Sequence, residues 1–196
     1  IFLFIVSFVY TNNSYSSSTE INQDKGIISI MYHRFEENKY PSTNIKLDDF
    51  KLHLKIIKEE GFNFISYDQF GKNFGLKNNN KKILLTIDDG FSSFYENAWP
   101  ILKKDKIPFV IFVNTESVGS RGYMSWEQLR EISNYEFVHI GNHSHSHGYL
   151  VDKKDNEIKK DIEISIKLLR EKLNNKTKFF AYPFGEYKES YKSIVE

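Results

Sequence analysis

Short apolar runs recur along the chain and are separated by segments of mixed polarity. Each run is rich in β-branched or aromatic residues and is continuously apolar, which is typical of strands that are buried on both faces. The runs that predict strands are residues 26–33, 82–88, 107–114, 137–143 and 178–183. A shorter strand is predicted within residues 62–70.

The segments between these runs carry apolar residues at helical spacing. In the first, Leu47, Phe50 and Leu54 recur every three or four positions, and Gly61 is a typical residue for ending a helix. The predicted helices are residues 47–61, 95–106, 125–133 and 156–174. Ser125 opens one of them with capping-box spacing, and Pro100 would interrupt another.

Strands and helices therefore alternate, and this order predicts an α/β fold with a parallel sheet and crossover helices. A barrel and an open doubly wound sheet both fit the pattern. No glycine-rich phosphate-binding fingerprint follows any predicted strand, which disfavours a dinucleotide-binding fold.

Composition supports one globular domain, because 40% of the 196 residues are hydrophobic and 16% are aromatic. The net charge of +1 gives no indication of a nucleic-acid partner or an anionic membrane surface. The chain has no cysteine, which excludes disulfides, thiolate catalysis and cysteine-ligated zinc.

The two ends of the chain suggest processing and truncation. Residues 1–10 form an apolar run that is followed by a Ser/Asn-rich segment, and we interpret residues 1–25 as a signal-peptide remnant with a polar linker. This predicts export to the periplasm, the cell envelope or the medium, with no stable membrane span in the mature chain. A buried first strand over residues 1–10 is the alternative.

The domain would occupy residues 26–196 and is expected to be incomplete at its C-terminus, because the chain stops within a predicted helix.

Polar residues follow several of the predicted strands at the point where each strand ends. Asp88 and Asp89 follow one strand, and His143 and His147, four residues apart, follow another. Parallel strands open their carboxyl ends onto one face, so a carboxylate and two imidazoles are expected to meet there and to hold a divalent cation with open positions. The alternatives are a histidine-rich surface loop and an aspartate that caps a helix.

The segments "LTIDDGF", "HSHSH" and "YPFG" together resemble the motifs of the polysaccharide deacetylases, the NodB-homology or carbohydrate esterase family 4 group. Ile87 replaces the aromatic residue of the first motif, and the arginine usual in the third motif is missing. That form, together with "MYHRF" near residue 33, is similar to the branch that acts on poly-N-acetylglucosamine. The resemblance runs from about residue 26 to the end of the chain.

The resemblance implies a distorted (β/α) barrel and a metal-dependent hydrolase that removes N-acetyl groups from a polysaccharide containing N-acetylglucosamine. It assigns Asp88 as general base, and Asp89, His143 and His147 as ligands of a divalent metal, most often Zn²⁺. The remaining implied roles are hydrogen-bond support of the histidine loop by Ser144 and a substrate-groove wall formed by Tyr182, Pro183 and Phe184. His33 is a further candidate on its position alone, because it also follows a predicted strand and is placed to support the site or contact the sugar. A buried hydrogen bond from His33 to a carboxylate that braces the fold is the alternative.

In the family the general acid usually lies in a later motif, and no such segment follows here. A catalytically inactive carbohydrate-binding relative or fragment therefore stays the alternative function.

Two other classes of enzyme fit the sequence less well. A haloacid-dehalogenase-like phosphatase needs a second aspartate where Gly90 stands, and non-haem iron oxygenases use antiparallel sheets.

Overall fold

The computed structural model describes residues 27–73, 81–177 and 179–196. Its strands are β1 (Ile28–Tyr32), β2 (Arg34–Phe35), β3 (Asn44–Ile45), β4 (Asn63–Phe64), β5 (Lys82–Asp88), β6 (Phe109–Val113) and β7 (Val138–Asn142). Its α-helices are α1 (Leu47–Glu59), α2 (Tyr67–Asn73), α3 (Trp99–Asp105), α4 (Trp126–Ser133), α5 (Asp155–Leu173) and α6 (Glu189–Val195). A π-helical turn covers Phe94–Ala98, and 3₁₀ turns cover Leu150–Asp152 and Pro183–Gly185.

The main sheet is parallel and runs in the order β1-β5-β6-β7, with β4 beside the start of β5. Ile87 of β5 lies opposite Ile111 of β6, which lies opposite Ile140 of β7. Beyond β7, Phe180 adds one isolated parallel bridge to Asn142. The predicted parallel α/β fold is confirmed, and within the described ranges the sheet does not close on itself.

Both faces of the central strands β5 and β6 are buried, which explains why these strands read as continuous apolar runs. Leu85 and Ile111 point to the face that packs against the helices, in a cluster with Phe50, Leu102 and Leu129. The opposite face has its own apolar layer. That layer contains Leu84, Val110 and Phe112, with Tyr67 and Phe179 packed against it.

Most predicted helices are present within a few residues of their predicted bounds. Ser125 caps α4 as predicted: its Oγ accepts from the Gln128 backbone N–H at 3.2 Å, and Gln128 Oε1 accepts from the Ser125 N–H at 2.8 Å. Pro100 lies at the start of α3, after the π-helical turn. The helix predicted over residues 95–106 is therefore present, and its bonding changes from π-helical to α-helical just before Pro100, which has no N–H to donate.

The short strand predicted within residues 62–70 is confirmed as Asn63–Phe64, and α2 follows it because Ser66 and Gln69 bond each other's backbone N–H groups like a capping box. The strand predicted over residues 178–183 was wrong over most of its length. Among residues 179–183, which the structure describes, Phe180 forms one isolated bridge to the sheet. Pro183 cannot donate to a ladder, and the chain turns there into a 3₁₀ turn.

The interpretation of residues 1–25 as a signal-peptide remnant and linker lies outside the described residues. Among the helices of the described ranges, none combines the length and the apolar character that crossing a bilayer would need.

Candidate metal centre

The carboxyl ends of β5, β6 and β7 meet at one edge of the sheet, and each contributes polar side chains. Asp88 is the last residue of β5 and Asp89 follows it with a left-handed backbone (φ 71°). Asn114 follows β6, and His143 follows β7. The left-handed turn at Asp89 ends the alternation of the strand, which lets two adjacent carboxyl groups serve the same centre.

Asp89, His143 and His147 are brought together, as the strand-end argument predicts. Asp89 Oδ1 lies 3.1 Å from His147 Nε2 and 3.6 Å from His143 Nε2. One potential ligand atom from each residue lies within 4.8 Å of the other two. Two imidazole nitrogens and one carboxylate oxygen in this arrangement suit a divalent cation and leave coordination positions for other ligands.

His143 is oriented by a backbone carbonyl. Its Nδ1 lies 2.8 Å from Ala181 O, and because a carbonyl only accepts, Nδ1 carries the hydrogen. In the neutral ring, Nε2 then keeps a free lone pair toward Asp89. Burial lowers the pKa of His143 to about 4, which keeps the ring neutral at pH 7. A ligating histidine commonly has its other nitrogen held in this way.

Asp89 and His147 form a charged pair. Burial lowers the pKa of His147, but the hydrogen bond and the negative charge of Asp89 outweigh burial and raise it above its ordinary value. Burial raises the pKa of Asp89, but His147 and His143 outweigh it and lower it below its ordinary value. The carboxylate of Asp89 is therefore ionised and available as a ligand at neutral pH.

Asp88 differs from its neighbour in almost every respect. It is buried, and its Oδ1 has no hydrogen-bond partner among the described residues. Burial, and secondly the charge of Asp89, raise the pKa of Asp88 to about 7. A carboxyl group with a free oxygen and a pKa near neutrality can exchange a proton at the working pH of most enzymes.

Ser144 holds the loop between the two histidines. Its backbone N–H donates to Asn142 Oδ1 at 2.9 Å, and its Oγ accepts from the His147 N–H at 3.1 Å. His145 turns to the neighbouring loop, where its Nδ1 lies 2.9 Å from Thr115 Oγ1. The middle histidine of the motif is thus separate from the Asp89-His143-His147 group.

Asn114 is a site residue that sequence reasoning missed. Its buried side-chain amide donates to Asp89 Oδ1 at 3.2 Å and lies 3.5 Å from Asp89 O. Its own Oδ1 has no hydrogen-bond partner among the described residues. The sequence did hold one indication of this role: Asn114 directly follows β6, which lies between the two strands that carry the predicted ligands.

His33 and Phe184 lie at the edge of the centre. His33 follows β1, and burial lowers its pKa below the ordinary value, an effect that the charge of Asp89 offsets only in part. Phe184 is 60% exposed and its ring meets the His147 ring edge-on at 4.9 Å. Pro183 is buried, and the Tyr182 ring packs against an aromatic cluster of Phe180, Tyr187 and Tyr191. Of the three predicted groove residues, Phe184 is therefore the one whose ring contacts His147.

The fold and this centre together define a class: a parallel α/β protein whose strand ends carry an Asp-His-His group able to hold a divalent cation. The polysaccharide deacetylase family model matches residues 75–196, more than half of the chain. The chain belongs to the polysaccharide deacetylase family.

Several known proteins are similar to the chain. The poly-beta-1,6-N-acetyl-D-glucosamine N-deacetylase of Staphylococcus aureus is 28% identical over 157 residues, which cover 72% of this chain and 54% of that enzyme. The chain thus spans about half the length of the curated relatives it matches.

Among solved structures, IcaB from Ammonifex degensii superimposes with a TM-score of 0.78 and 28% identity, covering 87% of this chain and 79% of IcaB. The Streptococcus pyogenes deacetylase PplD, in complex with acetate, superimposes with a TM-score of 0.77 and 26% identity, covering 88% of this chain and 80% of PplD. The fold is therefore that of the NodB-type deacetylases, whose distorted barrel was predicted from the motifs.

Proposed function

We propose that this chain carries the catalytic centre of a metal-dependent N-deacetylase that acts on a polysaccharide containing N-acetylglucosamine. The reaction consumes one amide and one water and yields a sugar amine and acetate. The observation that carries the proposal is the Asp89-His143-His147 group with the free Asp88 oxygen beside it.

Asp89, His143 and His147 would hold the cation, for which Zn²⁺ is the first choice because imidazole and carboxylate ligands suit it. When bound, a divalent cation polarises the amide carbonyl and lowers the pKa of a water molecule toward neutrality. Two histidines and one aspartate also accept other divalent metals, so metal analysis belongs to the test.

Asp88 would act as the general base. Its Oδ1 has no competing donor among the described residues, so that oxygen is available to take the proton of the attacking water. A cation beside Asp88 favours the ionised form, which is the form that can accept a proton.

The departing amine needs a proton, and we assign its delivery to Asp88, which has taken one from the attacking water. His33, an imidazole outside the Asp89-His143-His147 group, is the competing donor. Burial lowers the pKa of His33 and so favours its neutral ring, which has no proton to give to an amine. The Asp88 route predicts that a His33→Gln variant keeps most of its activity, whereas a loss of about 100-fold would assign the step to His33.

The exposed ring of Phe184 would form one wall of the sugar site, next to Tyr149, whose ring centroid lies 5.7 Å away. We place Pro183 and Tyr182 behind it, where they support the turn. The β-1,6-linked N-acetylglucosamine polymer is the first substrate to test, because the Staphylococcus aureus relative is named for it. Action on such a polymer agrees with export of the protein, which we also propose.

The test is release of acetate and free amine from a β-1,6-linked N-acetylglucosamine oligomer by the metal-reconstituted chain. We expect release by the wild type, loss of at least about 100-fold in Asp88→Asn, and little change in His139→Gln, a β7 histidine that stacks on Tyr67 outside the centre. Binding of metal and oligomer without release would instead identify an inactive carbohydrate-binding relative.

A further inference from the structure

The loop that carries the two histidines is held by side chains. Between residues 144 and 148, five consecutive backbone N–H groups all donate to side-chain oxygens. The acceptors, in chain order, are Asn142 Oδ1, Asp161 Oδ1, Asp161 Oδ2, Ser144 Oγ and Ser146 Oγ. Removing a side-chain acceptor therefore removes part of what determines the shape of the loop.

The shape that these bonds maintain is not one that the loop would favour by itself. Ser144 (φ 69°) and His147 (φ 51°) both have left-handed backbones. This conformation is unfavourable for a residue with a side chain, and it persists where the surroundings enforce it. Because His147 is one of the strained residues, the position of its imidazole depends directly on the bonds that hold the loop.

Asp161 is the only one of these acceptors that comes from outside β7 and the loop. It lies in the middle of α5 and is 9% exposed. One carboxyl oxygen accepts from the His145 N–H at 2.7 Å, and the other accepts from the Ser146 N–H at 3.1 Å. Both amides belong to the residues between His143 and His147.

The other buried residues of α5 are mostly apolar, so a carboxyl group at position 161 needs an explanation other than packing. Its buried neighbours along the helix include Ile158, Ile162 and Leu169. A carboxyl group among such residues is unfavourable unless its oxygens are hydrogen-bonded, and here the bonds go to the loop amides. Hydrogen bonds to a carboxylate are stronger than those between neutral groups, so these two bonds can offset the strain in the loop.

We propose that Asp161 is a positioning residue: through the amides of His145 and Ser146 it ties α5 to the loop and presents His143 and His147 to Asp89. The inference rests on the proposed function, because the loop is positioned for the cation that those residues would bind. Asp161 itself touches neither the cation nor the substrate.

The test compares wild type with Asp161→Asn, in which one oxygen is replaced by a donor that cannot accept the second N–H. Ser165→Ala is the matched control: Ser165 is a buried polar residue of the same helix, and its hydroxyl bonds within the helix to Ile162 O at 2.8 Å. Asp161→Glu keeps the carboxylate. Three quantities are measured for each chain: the affinity for Co²⁺, the absorption spectrum of the Co²⁺ form, and the amide exchange rates of residues 144–148 in the metal-free protein.

We expect Asp161→Asn to weaken Co²⁺ binding by about 10- to 100-fold and to alter the Co²⁺ spectrum, with exchange at His145 and Ser146 faster by about tenfold or more. Ser165→Ala should match the wild type in all three, and Asp161→Glu should lie closer to the wild type than Asp161→Asn does. Unchanged Co²⁺ affinity and unchanged exchange in Asp161→Asn would overturn the inference.

A different result would count against the proposed function alone. If the wild-type chain takes up no Co²⁺, the metal-dependent activity is lost as a proposal. The exchange rates of the metal-free chains then decide the role of Asp161: faster exchange at His145 and Ser146 in Asp161→Asn supports it, and unchanged rates refute it.

Discussion

Asn114 donates its side-chain amide to Asp89 Oδ1 at 3.2 Å, the same oxygen that faces both histidines. Asn114 follows the strand that lies between β5 and β7, so it reaches the centre from the middle of the sheet. The bond leaves the carboxylate little freedom to rotate. A ligand that is held before the cation arrives loses less conformational entropy on binding.

Asn114→Ala should therefore weaken divalent-metal binding by about 10- to 100-fold without removing any ligand. Co²⁺ titration monitored by absorption measures this change. Asn97→Ala is the control, because Asn97 likewise donates its amide to backbone carbonyls, those of Ser93 and Phe35, away from the centre. Equal Co²⁺ affinity in Asn114→Ala and Asn97→Ala would refute the assignment.

The two histidines should contribute to stability with opposite pH dependence in the metal-free chain. The pKa of His147 is higher in the folded chain than its ordinary value of 6.5. Its contribution to the unfolding free energy is therefore full below about pH 6.5 and is lost as the pH rises through the folded-state pKa. The folded-state pKa of His143 is lowered to about 4, so its contribution is full above about pH 6.5 and is lost as the pH falls toward 4.

Urea unfolding in the presence of a chelator checks this prediction. The loss of unfolding free energy in His147→Ala should be larger at about pH 6 than at about pH 9. The loss in His143→Ala should be larger at about pH 8 than at about pH 5, and it adds a cavity and an unpaired Ala181 carbonyl worth together about 3 kcal/mol. Parallel pH trends for the two variants would contradict the prediction.

Asp88 should make the metal-free chain less stable as the pH rises. Its folded-state pKa is about 7 against an ordinary value of 3.8, so the folded chain holds a proton that the unfolded chain releases. The contribution is full below about pH 4 and is lost as the pH rises to about 7. Asp88→Asn cannot lose a proton, and its stability relative to wild type should therefore increase between those two values. A constant difference between the two chains from pH 4 to 8 would show that the pKa of Asp88 is not raised.

Phe184→Gly should separate substrate binding from folding. Phe184 has a left-handed backbone (φ 61°) and a largely exposed ring, so glycine relieves strain and loses little packing. We expect an unfolding free energy equal to wild type or higher by up to about 1 kcal/mol. In contrast, KM for an N-acetylglucosamine oligomer should rise several-fold, because the ring that would stack on the sugar is gone. A large loss of stability with an unchanged KM would place Phe184 in a purely structural role.

Gly141→Ala should destabilise the chain, whereas Gly71→Ala should stabilise it. A Cβ at Gly141 would lie 2.4 Å from Phe112 Cδ1, in the packed layer beneath His143. The forced shift of Phe112 should cost about 1–3 kcal/mol. Gly71 lies in α2 with no atom within 4 Å of its added Cβ, and alanine there should contribute about 0.5–1 kcal/mol. Thermal unfolding of the wild type and the two variants under identical conditions checks the prediction: the melting temperature should fall in Gly141→Ala and rise in Gly71→Ala.

The sequence predicted the sheet and the convergence of the ligands because both follow from local patterns. The apolar run at 82–88 coincides with β5, and the rule that parallel strands open on one face places Asp89 near His143. Neither statement requires knowledge of a side-chain contact.

The supporting residues could not be predicted in the same way, because each acts through a contact that is distant in sequence. Asn114 is an ordinary asparagine after a strand until Asp89 is seen beside it. The carbonyl of Ala181 orients His143 across 38 residues, in a segment that was predicted as a strand and instead turns at Pro183. A left-handed backbone at Asp89 or His147 also leaves no mark in the residue type.

Asp89 and His147 come from strands that never touch, because β6 runs between them. An isolated peptide with the two histidines lacks the carboxylate, and an unfolded chain scatters all three groups. Divalent ions should therefore bind the native state far more tightly than any other, and the melting temperature should climb with the logarithm of free zinc once zinc exceeds its dissociation constant. In a zinc-poor medium the same protein would be measurably easier to unfold and to degrade, so its lifetime would follow metal supply.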